Sequence, residues 1–220
     1  MNHSVTECRT GENMDKVILQ NTINRFDAKR PSHLLTHPSG RCCSRVHSWF
    51  KAMAYSYGIM NLGLPYWLHD QWEWGPSKWP MYWCEILKNK TIDCGVFAEL
   101  AEVALKETGQ KTMRVQSIEE YSSDVCQNWE HLWSSADCCG DWINGIFVYH
   151  EMVGLVHEDL KIWDPVDNHF ITFSKRANKQ QGRMVAIRLI PSDTFPPEKV
   201  GLWGLQLKEG VWHNLKSSYI

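Results

Sequence analysis

Three residues able to share one piece of chemistry follow one another along the chain: a thiol at Cys94, an imidazole at His150 and a carboxylate at Asp164. Cys94 lies in KNKTIDCGVFAELAEVALKETG, where an amphipathic helix is expected to begin. A thiol attacks as its thiolate, and the positive end of a helix favours that anion. The free N–H groups of a first helical turn can also bind a developing oxyanion. Gly95 has no side chain, so a substrate carbonyl can come close to that backbone. Asp93 opposes the thiolate if its charge faces the sulfur. Read alone, a cysteine at a helix start is more often a small buried hydrophobe.

The downstream stretch FVYHEMVGLVHEDLKIWDPVDNHF reads as a hairpin turning near His157 to Leu160. A turn centred near His157 would set His150 and Asp164 opposite each other on one face. That is the arrangement a base and its orienting carboxylate need: the imidazole takes the thiol proton, and the carboxylate holds the tautomer and steadies the imidazolium. The plainer readings are a hydrogen-bonded strand histidine and an Asp-Pro turn. His157, His131 and His169 compete for the base role, with His157 expected in a solvated turn and His169 past Asp-Pro.

Other elements must carry these residues. Val46, Phe50, Met53, Ala54 and Tyr57 recur at helical spacing from Ser44 to about Met60, and Gly63-Leu64-Pro65 is expected to stop that helix. The stretch YWLHDQWEWGPSKWPMYW follows, an irregular, aromatic-stitched part of the core or the wall of a cleft. In the Cys94 helix, Asp93 or Thr91 can cap the first turn. Phe97, Leu100, Ala101, Ala104 and Leu105 form the apolar stripe, Glu99, Glu102 and Lys106 the opposite face, and Gly109 the close. Thr112 to Ile118 alternates like a strand, and 119–140 reads as a polar loop or short helix. Asn144 to Val156, Lys161 to Pro165 and Met184 to Ile190 read as further strands. The expected class is α+β, helices packed to one side of an antiparallel sheet. Residues 1–40 read as a polar N-terminal arm and 41–220 as a single domain.

Composition bounds the rest. A net charge of -2 supplies no basic field for nucleic acid or an anionic membrane, so neither is an expected partner. The first residues, MNHSVTECRTGENMDK, lack the apolar run of a signal peptide, and no stretch reaches the length of a bilayer span, so a cytoplasmic location is expected. The eight cysteines then read as mostly reduced thiols. Cys126, His131, Cys138 and Cys139 could gather round a metal, but no CxxC occurs, and neither metal nor cofactor is expected.

Two blocks, TIDCGVFAELAEVALKETGQKTMRVQS and YHEMVGLVHEDLKIWDPVD, resemble the transglutaminase-like superfamily of papain-fold-related cysteine enzymes. The first is similar to the family's Cys-bearing helix and following strand, the second to its His-bearing strand and Trp-x-Asp-Pro-like close. Glu151 stands where a small residue usually follows the histidine. The resemblance implies a papain/transglutaminase-like core with Cys94 as nucleophile, His150 as base and then acid, and Asp164 as orienting residue. It also implies a side-chain oxyanion donor upstream of the cysteine, for which Gln71 and Trp67 are candidates, with Trp72 a third. Trp72, Trp74 and Trp79 are candidate substrate-binding rings. The implied activity is acyl transfer through a thioester from an amide or thioester substrate to an amine or to water. The implied partners are a peptide, a protein, a small acyl substrate or a carrier protein. Amide hydrolysis by a peptidase or deamidase, and a non-catalytic binding module, are the alternatives.

Overall fold

The fold was read from a computed structural model that describes residues 17–26, 34–59, 63–78, 80–134, 142–156, 160–171, 182–191, 204–208 and 211–214. The chain is mixed α+β. Its centre is an eight-stranded sheet in which every pairing is antiparallel.

Part of the stretch expected to be a polar arm packs into the fold instead. Residues 17–26 form a helix, α1, that buries Leu19, Ile23 and Phe26 against Ile118, Val185 and Ala186. These apolar residues recur at helical spacing within otherwise polar sequence, so overall composition hides the stripe. Leu34–Leu35 (β1) pairs in parallel with Met81–Tyr82 (β3), and the Leu34 amide donates to Glu99 Oε2 at 2.8 Å.

The first expected helix is α2, Arg41–Ile59. After it, Pro65 does not only end a pattern: it sits in the first turn of a second helix, α3, Leu64–Gln71, behind Gly63 at φ 78°. Proline suits that turn because its missing N–H has no helical acceptor to lose. Glu73–Trp74 (β2) then pairs with Thr91–Ile92 (β4), and between them runs a 3-10 helix, Trp83–Lys88. Trp67, Trp72 and Trp83 are buried with Phe50, and the Trp72 indole N–H donates to the Ile86 carbonyl at 2.9 Å. The tryptophan-rich stretch is thus largely core.

Helix α4, Cys94–Glu107, buries Val96, Phe97, Ala98, Leu100, Ala101 and Ala104. Gly109, at φ 79°, closes it: its N–H donates to Lys106 and that of Gln110 to Leu105, the paired bonds of a Schellman motif. The polar side of α4 is not simply solvated. Glu102 keeps the expected ion pair with Lys106 at 3.2 Å, but it is buried and also holds Arg114 at 2.8 Å.

Arg114 lies on β5, Thr112–Glu120, the central strand that pairs with Phe147–Val156 (β7) on one side and Arg183–Pro191 (β10) on the other. Gly204–Lys208 (β11) and Val211–Asn214 (β12) extend the sheet beyond β10. The other edge of β7 is divided. Ile143–Asn144 (β6) pairs with Phe147 and Val148, and Leu160–Asp164 (β8) with Val153 to Val156. His169–Ile171 (β9) follows outside β8. The polar 119–140 stretch contributes the end of β5 and helix α5, Ser123–Ser134. Among the described residues no helix is long and apolar enough to cross a membrane.

Candidate active site

Cys94 is the first residue of α4 because Asp93 caps it. Asp93 is extended, and its Oδ1 accepts the Val96 N–H at 2.9 Å while its Oδ2 accepts the Ser77 hydroxyl. The N–H groups of Cys94 and Gly95 belong to the same turn and have no acceptor within the helix. The Cys94 side chain is half-buried.

Helix α4 packs across β7 and β5, and this brings its N-terminus to His150. His150 is held by the ladder opposite Ser117 and sits between the two short partners that divide the far edge of β7. Its imidazole hydrogen-bonds to Asp164 and interacts with the Cys94 thiol. Nε2 lies 2.8 Å from Asp164 Oδ2, which leaves Nδ1 for the thiol. Asp164 is 1% exposed and its Oδ1 accepts the Val166 N–H at 3.0 Å. The Asp-Pro turn and the histidine contact, posed as alternatives from the sequence, are therefore made by the same carboxylate.

The pairing is not face to face as the sequence reading expected. Val153 stands opposite Trp163 and Val156 opposite Leu160, so the ladder is centred one residue later than a turn about His157 would set it. Continued, that register puts Met152 opposite Asp164 and leaves His150 one step along on the same side. The contact is the diagonal of the ladder, still within reach of an imidazole and a carboxylate.

The electrostatics correct a second expectation. Burial pushes the Cys94 thiol above its ordinary value; the hydrogen bond and charge of His150 oppose this, and the charges of Asp93 and Glu151 add to it. Burial and the neighbouring carboxylates thus oppose the thiolate that the helix end favours. For His150, burial works against the charged form, but the charge and hydrogen bond of Asp164 outweigh it and hold the imidazole well above its usual value.

Of the competing histidines, His131 is exposed on α5 and His169 is exposed with Nδ1 3.9 Å from Asp167; His157 lies outside the described residues. Trp67 and Trp72 are core residues, and the Trp72 N–H is committed to Ile86, which corrects their reading as oxyanion donor and cleft wall. Gln71 is exposed at the end of α3. Trp79 is outside the described residues. Trp74 is half-buried and meets Trp129 and Trp142 at ring distances of 5.8 and 6.3 Å, with Tyr121 4.8 Å from Trp129. These rings adjoin both halves of the site. Trp74 pairs with Ile92, two residues before Cys94, and the Trp142 carbonyl accepts the N–H of Tyr149, one residue before His150. Sequence reasoning missed Trp129 and Trp142 because their contacts span three separate segments.

It also missed His69 and Glu151. His69 Nε2 donates to the Pro165 carbonyl at 2.8 Å and its ring stacks on Phe97 of α4, so it ties the Asp164 corner to the Cys94 helix. Glu151 is buried between Arg114 at 2.7 Å and Gln116 at 3.1 Å, and accepts the Tyr149 hydroxyl. A small residue there would leave Arg114 with only one of its two carboxylate partners. Among the described residues no group of three or more His, Cys, Asp or Glu could hold a metal; Cys138 and Cys139 lie outside them. Compared with family models, with curated proteins and with solved structures, the chain matches none.

Proposed function

We propose that this chain is a cysteine-dependent acyl-transfer enzyme with a papain/transglutaminase-like core. The observation that carries the proposal is the imidazole of His150 set between the Asp164 carboxylate, 2.8 Å away, and the Cys94 thiol, with which it interacts. A buried carboxylate on one ring nitrogen leaves the other to exchange a proton with the sulfur.

In this reading His150 takes the thiol proton as Cys94 Sγ attacks the carbonyl of an amide or thioester. The oxyanion forms beside the first-turn N–H groups of Cys94 and Gly95, where the helix end favours negative charge. His150 then gives its proton to the departing amine or thiol, leaving a thioester on Cys94. It next takes a proton from an incoming amine or water, which receives the acyl group. Gln71 remains a candidate for a second oxyanion donor. Acyl donors of the peptide, protein, small-molecule or carrier-bound kinds all fit this chemistry, and water as acceptor makes it hydrolysis.

The test is intact-protein and peptide mass spectrometry after brief exposure to a panel of short acyl thioesters. The expected result is a hydroxylamine-labile acyl group on Cys94, formed at least tenfold faster than on exposed Cys42. Acylation of Cys94 no faster than of Cys42 would overturn the proposal.

A further inference from the structure

A second group of thiols lies away from Cys94. Cys42 and Cys43 occupy the first turn of α2, and adjacent helical side chains point about 100° apart. Cys42 is exposed and Cys43 fully buried. Cys84, the second residue of the 3-10 helix, is half-buried and comes to them from elsewhere in the chain. Its N–H donates to Cys43 Sγ at 3.4 Å, and its own thiol hydrogen-bonds to Cys43 and also reaches Cys42. Cys84 thus meets Cys43 from a different element, which positions the two thiols for exchange rather than only for packing.

We propose that Cys43 and Cys84 are a dithiol that a hydroperoxide oxidises to a disulfide, tying α2 to the 3-10 helix that leads into the Cys94 segment. Burial raises the Cys43 thiol, but hydrogen bonds from the His37 backbone and from the Cys84 side chain and backbone outweigh it and lower it overall. Cys84, through its hydrogen bond to Cys43, is pushed up to about 11 and keeps its proton. Cys43 is thus the attacking sulfur. Its thiolate displaces hydroxide from the peroxide O–O bond and becomes a sulfenic acid, and the hydroxide takes up a proton to leave as water. The Cys84 sulfur then attacks that of Cys43, the S–O bond breaks, and the departing hydroxide leaves with the Cys84 proton as a second water. Two thiols and one hydroperoxide give one disulfide, and a cellular thiol reverses the reaction by exchange. A small oxidant fits the burial of Cys43 better than a bulky disulfide does.

The bridge joins residues 41 apart, a loop that holds α3 and the tryptophan-rich core. Closing it removes freedom from the unfolded chain and raises the melting temperature.

The reduced full-length chain is treated with stoichiometric hydrogen peroxide, alkylated with iodoacetamide and mapped without reduction. The expected product is a dithiothreitol-sensitive link between the Cys42-Cys43 peptide and the Cys84 peptide. It should persist in Cys42→Ser and vanish in Cys84→Ser, with a rise in Tm on the order of 5–10 °C in wild type alone and Cys42→Ser. Free, alkylatable Cys84 in the oxidised wild type would overturn the proposal. So would a link lost in Cys42→Ser, which would make the exposed thiol the partner. A thermal melt of each reduced variant confirms that it is folded before its map is read, so loss of the link is not loss of the fold.

Discussion

His150 and Asp164 meet across the diagonal of the β7–β8 ladder, Nε2 to Oδ2 at 2.8 Å. Asp164 is the last residue of β8, and its other oxygen is fastened to the Val166 amide. His69 grips the next carbonyl, that of Pro165, from α3. The carboxylate is thus fixed from behind, and in the proposed reading the imidazole is the part left to exchange a proton with Cys94. This division of labour leads to measurable consequences.

His150→Ala removes the hydrogen bond and charge that lower the Cys94 thiol against burial, Asp93 and Glu151. Alkylation of Cys94 by iodoacetamide at neutral pH should slow about tenfold or more, since each unit of pKa is a factor of ten in thiolate. Peptide mapping reads Cys94 separately from Cys42. An unchanged Cys94 rate would show that His150 is not its base.

Asp93→Ser separates the cap from the charge. Serine still accepts the Val96 N–H, so stability should fall by no more than about 1 kcal/mol. Loss of a negative charge beside the sulfur should move the alkylation profile of Cys94 to lower pH. A shift to higher pH would mean that Asp93 supports the thiolate.

Stability should depend on pH through the His150–Asp164 pair. The folded state holds His150 well above the 6.5 of the free side chain. Its contribution is therefore fully present below that value and is lost as pH rises through the raised folded value. Asp164→Asn leaves burial as the main influence, so the imidazole should fall below its ordinary value and the dependence should reverse sign. Urea midpoints of both proteins between pH 5 and 9 would test this; parallel curves would rule out the linkage.

Trp72→Phe should cost about 1–3 kcal/mol, because the Ile86 carbonyl loses its donor in a buried place. The Cys94 alkylation rate should stay within about twofold of wild type. A thermal melt and the same mapping assay together tell a core role from an oxyanion role, in which acyl transfer would fail while stability held.

Ile23→Ala should destabilise the fold by about 2–4 kcal/mol, since Ile23 is 1% exposed against the sheet. A denaturant midpoint equal to wild type would return residues 17–26 to the status of an arm.

Much of this site was legible in local chemistry. Asp93, Cys94, the apolar stripe of α4 and Gly109 lie within one short segment, where capping, 3.6-residue periodicity and the left-handed close act over a few residues. Strand alternation likewise marked the segments of β5, β7, β8 and β10. Pro65 was misread because the same residue can follow one helix and open another, and only the path of the chain chooses. Glu102 was read only as lining the face opposite the apolar stripe, because nothing near it in sequence announces Arg114.

The sequence by itself determined which residues could do chemistry and on what kind of element each sits, because caps, periodicity and alternation are properties of neighbours. Only the tertiary structure decided their relations: the two-residue displacement of the β7–β8 register, the burial that raises the Cys94 thiol, the His69 clasp on Pro165 and the meeting of Cys43 with Cys84. Each of these depends on contacts between segments far apart in the chain, and on the low dielectric that their packing creates. Local periodicity carries no record of either.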